Sequence, residues 1–236
     1  YILLFTGLTF YLLSKKSNPG FHCAFFFAVI SVFTHGGGWI TIFLGWIILL
    51  IQKRYQKGLI WAGGILLLGF FYFKNFHSHT NIFSGIQSLE GLKNFLIFYS
   101  AFLGSSLSLD RMFIAVGFGI ILNFYLCYLI WNKYFEKNIT VFMFMVYIFL
   151  NAILVAMARS GLAVENVFAP RYKILSVILI VLVYMSLAER FASSVVKFRS
   201  FVLLGILFAT ASYFITFNVG KANLETRKKS LTWMAN

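Results

Sequence analysis

The chain has 236 residues, of which 61% are hydrophobic and 11% are charged, including 30 Phe and 2 Pro. A soluble domain of this length has no core large enough to bury so much apolar surface, so the composition excludes a soluble globular protein. The formal net charge of +14 would favour nucleic-acid binding in a soluble protein, but here Lys and Arg flank apolar segments, where they anchor helices at anionic headgroups, and we expect no nucleic-acid partner.

Apolar segments follow one another along the chain, with polar connections between them. Several approach the roughly 20 residues that a helix needs to cross the hydrocarbon layer, and none alternates with the period of a strand. They cover residues 1–13, 21–34, 39–51, 59–73, 95–103, 112–131, 139–158, 174–187 and 201–219. We predict an all-α polytopic transmembrane helical bundle that forms a single domain over 1–236 and has membrane lipid as a partner.

The first segment, YILLFTGLTFYLLSKK, has no initiator Met and no basic region ahead of its apolar run. That run is too short to span the membrane as it stands, and it does not fit a signal peptide. We therefore expect an N-terminal part to be missing before Tyr1. Alternation of the segments then places the connections SKK, QKRYQK, NKYFEK and ERFASSVVKFR on one side, which we assign to the cytoplasm although Lys and Arg are shared equally between the two sides.

The motif HGGG divides residues 21–51 into two runs of roughly 14 residues, each about 21 Å long as a helix and shorter than a hydrocarbon layer of about 30 Å. Their apex should lie below the outer surface. We expect Gly36, Gly37 and Gly38 to free the backbone from helical geometry, which is tolerated at that depth only beside protein or a watery cavity. The segment FLIFYSAFLGSSLSLDR is also short and predicts a re-entrant or interfacial helix, so short broken helices should surround an outward-facing cavity.

The stretch MARSGLAVENVFAPRYKILSVILIV gathers charged groups between two apolar runs. Arg159, Glu165, Arg171 and Tyr172 are candidate ligand-binding residues, because guanidinium groups bind phosphate oxygens through planar paired donors and stay charged. A lipid-linked phosphate or pyrophosphate is the predicted ligand class. The alternative is that Arg159, Arg171 and Lys173 only extend to the interface at helix ends while Glu165 pairs with one of them.

Histidines supply the other candidates. His35 precedes the three glycines, where an imidazole could donate to a phosphate or sugar oxygen, or could be a hydrogen-bonded packing residue. His77 and His79 lie two residues apart in the longest outer loop, but no third ligand follows at a suitable spacing, so we expect no metal. The catalytic Ser, nucleotide-binding and zinc-protease motifs are absent from the sequence, and we expect no cofactor.

Taken in order, THGGGW, FLGSSL and ARSGLAVENVFAPRY resemble a broad set of uncharacterised bacterial polytopic membrane proteins whose later half is similar to GT-C-type glycosyltransferases. The resemblance covers residues 21–187. It implies a polyprenyl-phosphate-linked sugar as partner, at the outer face of the bacterial inner (cytoplasmic) membrane. It also implies that His35, Gly38, Arg171 and Tyr172 lie near this donor.

One departure from the GT-C pattern concerns the catalytic acid. Those enzymes carry an acidic residue in the first outer loop, and no equivalent is found here, so it would have to lie before Tyr1. Glu165 or Asp110 could substitute as the base that deprotonates an acceptor hydroxyl. Enzymatic activity is therefore left open, and two alternatives stand beside it: a non-catalytic subunit or scaffold bound to other envelope proteins, and a transporter, for which no internal repeat is evident.

Overall fold

The computed structural model of the chain describes residues 1–74, 88–108, 111–159 and 164–192 and short stretches within 195–221, with the backbone alone at 164 and 165. In these ranges the regular structure is helical and contains no strand, which confirms the all-α prediction. The chain divides into two compact units, Tyr1–Leu182 and Val183–Asn236. In the second unit the ring of Tyr184 stacks on that of Phe201, with 4.8 Å between centroids. The single-domain assignment stays a prediction.

The described part from the first residue to Phe191 contains nine α-helices. They are α1 Ile2–Ser14, α2 Asn18–Thr34, α3 Gly38–Ile51, α4 Tyr55–Phe73, α5 Leu89–Gly104, α6 Met112–Trp131, α7 Tyr134–Lys137, α8 Ile139–Arg159 and α9 Pro170–Phe191. Short 3-10 turns follow α5 and precede α9. By length and composition α4, α6, α8 and α9 can each cross a membrane. The chain is therefore an integral membrane protein.

The first three helices are short, as their apolar runs predict. They have 13, 17 and 14 residues, which corresponds to about 20, 26 and 21 Å of helix. α2 begins at Asn18, inside the polar connection, because the Ser17 hydroxyl accepts the Gly20 N–H at 3.1 Å and Pro19 occupies the first turn, both of which favour a helix start. Capping thus carries this helix into residues that hydropathy assigns to a loop.

α5 begins six residues before the predicted segment 95–103. The Ser88 hydroxyl accepts the Gly91 N–H at 3.0 Å, which fixes the start of the helix at Leu89, where a serine cap satisfies a free backbone donor. The helix has 16 residues, about 24 Å, so it remains shorter than the hydrocarbon layer. A re-entrant or interfacial position for it stays a prediction.

α5 and α6 form a closely packed antiparallel hairpin. A Cβ atom added at Gly104 would lie 2.2 Å from the Ala115 carbonyl oxygen, and one added at Gly119 would lie 1.8 Å from the Ser100 carbonyl oxygen. Between the two contacts the chain position falls from 104 to 100 in α5 and rises from 115 to 119 in α6, so the helices run antiparallel. Because only glycine permits backbones to approach this closely, Gly119 of AVGFG serves helix packing, whereas Gly117 has open space around it.

α8 is the helix around which the first unit is built. It packs against α1, α3, α5 and α7, and 56% of its most apolar window is buried inside the protein, against 11% for α4. α4 contacts α3 and turns most of its apolar side chains outward, as expected of a helix that faces lipid. The interior of the bundle therefore lies along one side of α8.

Candidate functional site

The break between α2 and α3 is a turn of His35, Gly36 and Gly37. The Gly38 N–H donates to the His35 carbonyl at 2.8 Å, and the Trp39 N–H donates to the Gly36 carbonyl at 3.3 Å. These bonds satisfy donors at the start of α3 that a helix leaves free. The backbone of the break is thus satisfied by protein, which is the condition for irregular structure at membrane depth.

Two of the three glycines of the break, Gly37 and Gly38, lie in close packing contacts. The backbone leaves helical geometry at residues 35–37, and it does so without a positive φ at any described glycine. A Cβ atom at Gly38 would lie 2.1 Å from the Ser31 carbonyl oxygen, and one at Gly37 would lie 2.6 Å from the Asn151 side-chain oxygen. At Gly36, by contrast, no atom beyond its chain neighbours lies within 4 Å of that position. The turn is packed on one side and open on the other.

The contact between Gly37 and Asn151 fixes the depth of the break. Arg159, the last residue of α8, lies eight residues beyond Asn151, or about 12 Å along the helix axis. The break therefore lies about 12 Å, or roughly two helical turns, below the end of α8. The position of this apex relative to the outer membrane surface stays a prediction.

A buried polar cluster of Thr6, Thr41, Tyr147 and Asn151 lies beneath the break. The hydroxyls of Thr6 and Thr41 are 2.7 Å apart, and the Tyr147 hydroxyl lies close to the side chains of Thr6, Thr41 and Asn151. The Asn151 side-chain amide donates to the Tyr147 carbonyl at 2.9 Å. Polar groups in an apolar interior are costly unless they bond to one another, so this cluster ties α1, α3 and α8 together under the break.

His35 presents a hydrogen-bond donor at the open side of the break. The Gly37 N–H donates to its Nδ1 at 3.0 Å, which requires an unprotonated Nδ1 and assigns the proton of the neutral imidazole to Nε2. The side chain is exposed and adjoins the open position at Gly36. Of the predicted ligand-binding residues, His35 is the one that belongs to the break between α2 and α3, and we refer to its open side as the recess.

Arg159 lies at the C-terminal end of α8, on the buried side of the helix. It follows Ala152 by seven residues and Ile148 by eleven, spacings that share one face of a helix. Both of those residues are fully buried, whereas Arg159 is half-buried. The Arg159 side chain therefore projects from the face of α8 that packs in the bundle, closer to the C-terminal end of the helix than the break is.

Arg171 and Tyr172 belong to the first turn of α9. The Tyr172 ring is buried, 8% exposed, and lies 5.5 Å from the Phe102 ring and 6.2 Å from the Phe98 ring of α5. The exposed Arg171 guanidinium lies 4.9 Å from the centroid of the Tyr172 ring, at a cation–π distance. The structure thus gives Tyr172 a packing role and leaves Arg171 as the accessible group of this pair.

The contact between α9 and α5 continues one turn further along α9. The Ser176 hydroxyl donates to the Leu103 carbonyl at 2.6 Å, and the Ser106 N–H donates to the Ser176 oxygen at 3.1 Å. A single hydroxyl thereby satisfies backbone groups at the end of α5, where a helix leaves carbonyls free. The serines of FLGSSL therefore serve this helix junction.

Several candidate residues are not described by the structure. The Glu165 side chain, Asp110, His77 and His79 all lie outside the described residues. In the part that is described, no group of three His, Cys, Asp or Glu side chains is arranged to hold a metal ion. The helices next to the recess, α1, α2, α3 and α8, contain no Asp or Glu in their sequences, so they offer hydrogen-bond donors and a guanidinium but no carboxylate that could act as a base.

The opposite end of the bundle contains a cavity of about 480 Å³. Lys16, Gln52 and Lys137 contribute to its lining, and they come from three different connections. SKK, QKRYQK and NKYFEK thus meet at one end of the bundle, as alternation of the segments predicts. The recess at His35 lies at the other end of α3.

Sequence analysis did not identify the four residues of the buried polar cluster. The available signal was the rarity of polar side chains in apolar segments, which marks functional or packing contacts. Comparison with known proteins adds no further candidates, because no family model matches the chain and neither a curated protein nor a solved structure matches it. The functional interpretation therefore depends on the geometry of the recess.

Proposed function

We propose that this protein binds the phosphate-bearing head of a lipid, of the polyprenyl-phosphate-sugar class, at the recess beside His35 in the bacterial inner membrane. The observation that carries the proposal is an N–H donor at the open side of a break that lies about 12 Å below the end of α8. Ionisable side chains are costly at such depth and mark ligand sites in membrane proteins. A lipid head held below the interface would meet His35 first.

Arg159 supplies the positive charge that a phosphate requires. Its guanidinium stays protonated and binds phosphate oxygens through paired donors. His35 and Arg159 are separated by about two helical turns along the bundle axis, which suits a head group of more than one unit, such as a phosphate carrying a sugar. Arg171, exposed at the start of α9, is the second guanidinium available at this end.

A glycosyl transfer reaction would need more than these residues provide. Deprotonation of an acceptor hydroxyl requires a base, and guanidinium groups can only hold the departing phosphate. Because α1, α2, α3 and α8 contain no carboxylate, the base in a GT-C-like mechanism would come from another segment. The described residues therefore support binding of the lipid head, and glycosyl transfer would need a base in addition.

A second candidate function is that of a non-catalytic subunit in an envelope assembly. The burial of Tyr172 against α5 favours it, because the RY element then holds two helices together instead of a ligand. On this hypothesis Arg159 and Arg171 anchor helix ends at the interface. Other envelope proteins would be the partners, and the recess would bind no lipid head.

Binding of a polyprenyl phosphate to the purified chain in phosphatidylcholine nanodiscs, followed by native mass spectrometry, tests the first proposal. We expect His35→Leu and Arg159→Gln each to weaken binding by about tenfold, since each removes a hydrogen bond to a charged group. Arg171→Ala should weaken it less. Lys15→Gln, an exposed lysine at the end of α1, is the matched control and should leave binding unchanged. Equal affinity of wild type, His35→Leu and Arg159→Gln would favour the second candidate.

A further inference from the structure

The connection between α3 and α4 forms a second site of distinct chemistry. Residues 53–57 line a hollow of about 290 Å³, and its lining includes Lys53, Arg54 and Lys57 but no acidic residue. Three cations around one concave surface create a positive potential that attracts anions. The α3–α4 hollow is therefore suited to a negatively charged group.

Arg54 carries a donor without an acceptor. Its Nη1 donates to the Gln52 side-chain oxygen at 3.2 Å, and the Gln52 amide donates in turn to the Leu13 carbonyl at 3.1 Å. Its Nη2 is buried and has no hydrogen-bond partner among the described residues. A buried donor on a charged group is costly when unpaired. The guanidinium is thus oriented from one side and lacks an acceptor on the other.

Lys57 is held in place beside Arg54, while Lys53 is exposed. The Lys57 ammonium donates to the Asn18 side-chain oxygen and lies 5.4 Å from the centroid of the Phe21 ring. Lys53 has a left-handed backbone conformation, with φ of 58°. Two of the three cations are therefore oriented by contacts with neighbouring groups before any ligand arrives, which reduces the entropy lost on binding.

The position of the hollow indicates what kind of anion it meets. Lys57 is in the first turn of α4, which can cross a membrane, so the hollow lies at the boundary where lipid phosphates are concentrated. It adjoins the end of α3 remote from Gly38, with 14 residues of helix between them. A ligand of the His35 recess would not occupy it.

We propose that the α3–α4 hollow binds the phosphate group of an anionic lipid headgroup, with Arg54 as the principal donor and Lys53 and Lys57 as flanking cations. A tetrahedral phosphate offers acceptors in the planar paired arrangement that a guanidinium prefers. The site is independent of the function proposed for the recess. Either can be present without the other.

Thermal unfolding of the full chain in nanodiscs, followed by tryptophan fluorescence, tests this site. Phosphatidylglycerol added to phosphatidylcholine should raise Tm, because a ligand that binds only the folded state stabilises it. We expect Arg54→Gln to weaken the apparent affinity for phosphatidylglycerol by about tenfold and Lys53→Gln by about threefold. Lys133→Gln is the matched control, since Lys133 also follows a helix, is exposed and has a positive φ of 50°.

The outcomes separate the sources of phosphate. Loss of the Tm shift in Arg54→Gln with retention in Lys133→Gln supports the site, and Lys53→Gln gives the same comparison if Arg54→Gln does not fold. A rise in Tm with inorganic phosphate in phosphatidylcholine alone would also support a phosphate site, with a soluble ligand as its source. Equal shifts in wild type, Arg54→Gln and Lys53→Gln, or an equal loss in Lys133→Gln, would overturn the proposal.

Discussion

α8 and α4 are both long enough to cross a membrane, but they occupy opposite environments. α8 has the higher mean hydropathy, 2.4 against 1.3, and yet 56% of its apolar window is buried in protein, compared with 11% for α4. The buried side of α8 also carries two polar side chains, those of Tyr147 and Asn151. Hydropathy thus reports whether a helix enters the membrane, whereas inward polar groups report which helix organises the bundle.

The largest expected effect concerns the glycines of the two regions. Gly38→Ala places a methyl group 2.1 Å from a backbone carbonyl oxygen at the break beside α8, which a small side-chain movement cannot relieve, so it should cost more than about 3 kcal/mol. Gly63→Ala in α4 meets no atom within 4 Å and should leave stability unchanged or slightly raised. The Tm and the yield of monodisperse protein measure the effect of both substitutions. Equal losses of stability in the two variants would contradict the contrast between the packed break beside α8 and the open side of α4.

Truncation of an isoleucine in each helix should have the next largest effect. Ile148 in α8 is fully buried, whereas Ile60 in α4 is 65% exposed to the surroundings of the protein. Ile148→Ala should destabilise by about 2 kcal/mol or slightly more through the cavity it leaves. Ile60→Ala should change little, because lipid fills the space. Chemical unfolding in a fixed lipid mixture would show the difference, and a larger loss at Ile60 would reverse the assignment of the central helix.

The smallest effect is expected from single hydroxyl groups. Tyr147→Phe removes a hydroxyl that lies close to Thr6, Thr41 and Asn151 and should cost no more than about 0.6 kcal/mol, the average for hydrogen bonds between membrane helices. Tyr55→Phe in α4, where the side chain is 60% exposed, should cost nothing measurable in phosphatidylcholine. The double variant Tyr147→Phe, Thr41→Val would show coupling if the cluster acts as a unit, and strict additivity would argue against it.

Sequence reasoning predicted the helical class, the short α2 and α3 and the break at HGGG, because those follow from apolar run length. It placed the start of this apolar segment at residue 95, six residues after α5 begins at Leu89, because hydropathy does not reveal the Ser88 cap. It did not reveal that Gly37 and Gly38 also pack closely against Asn151 and Ser31, because these contacts arise only through the packing of the helices.

The candidate site was predictable in part. His35 could be found from its position between two short apolar segments, and it does lie in the turn between α2 and α3. The burial of Tyr172 by Phe98 and Phe102 could not be foreseen, because residues some 70 positions apart meet there. The face of α8 that carries Asn151 likewise becomes informative only once α1 and α3 are packed against it.

Accessibility of the break from water is the most direct test of the central claim that His35 borders an open recess. Cys23 and Cys127, both exposed, would first be replaced by Ala, and Gly36→Cys and Gly63→Cys would then be compared in nanodiscs with a charged thiol reagent. Both positions have space for a side chain, but Gly36 adjoins the proposed recess and Gly63 lies on the outward side of α4. The account predicts that Gly36→Cys is labelled while Gly63→Cys is protected by lipid. A Gly36→Cys variant as unreactive as Gly63→Cys would contradict it.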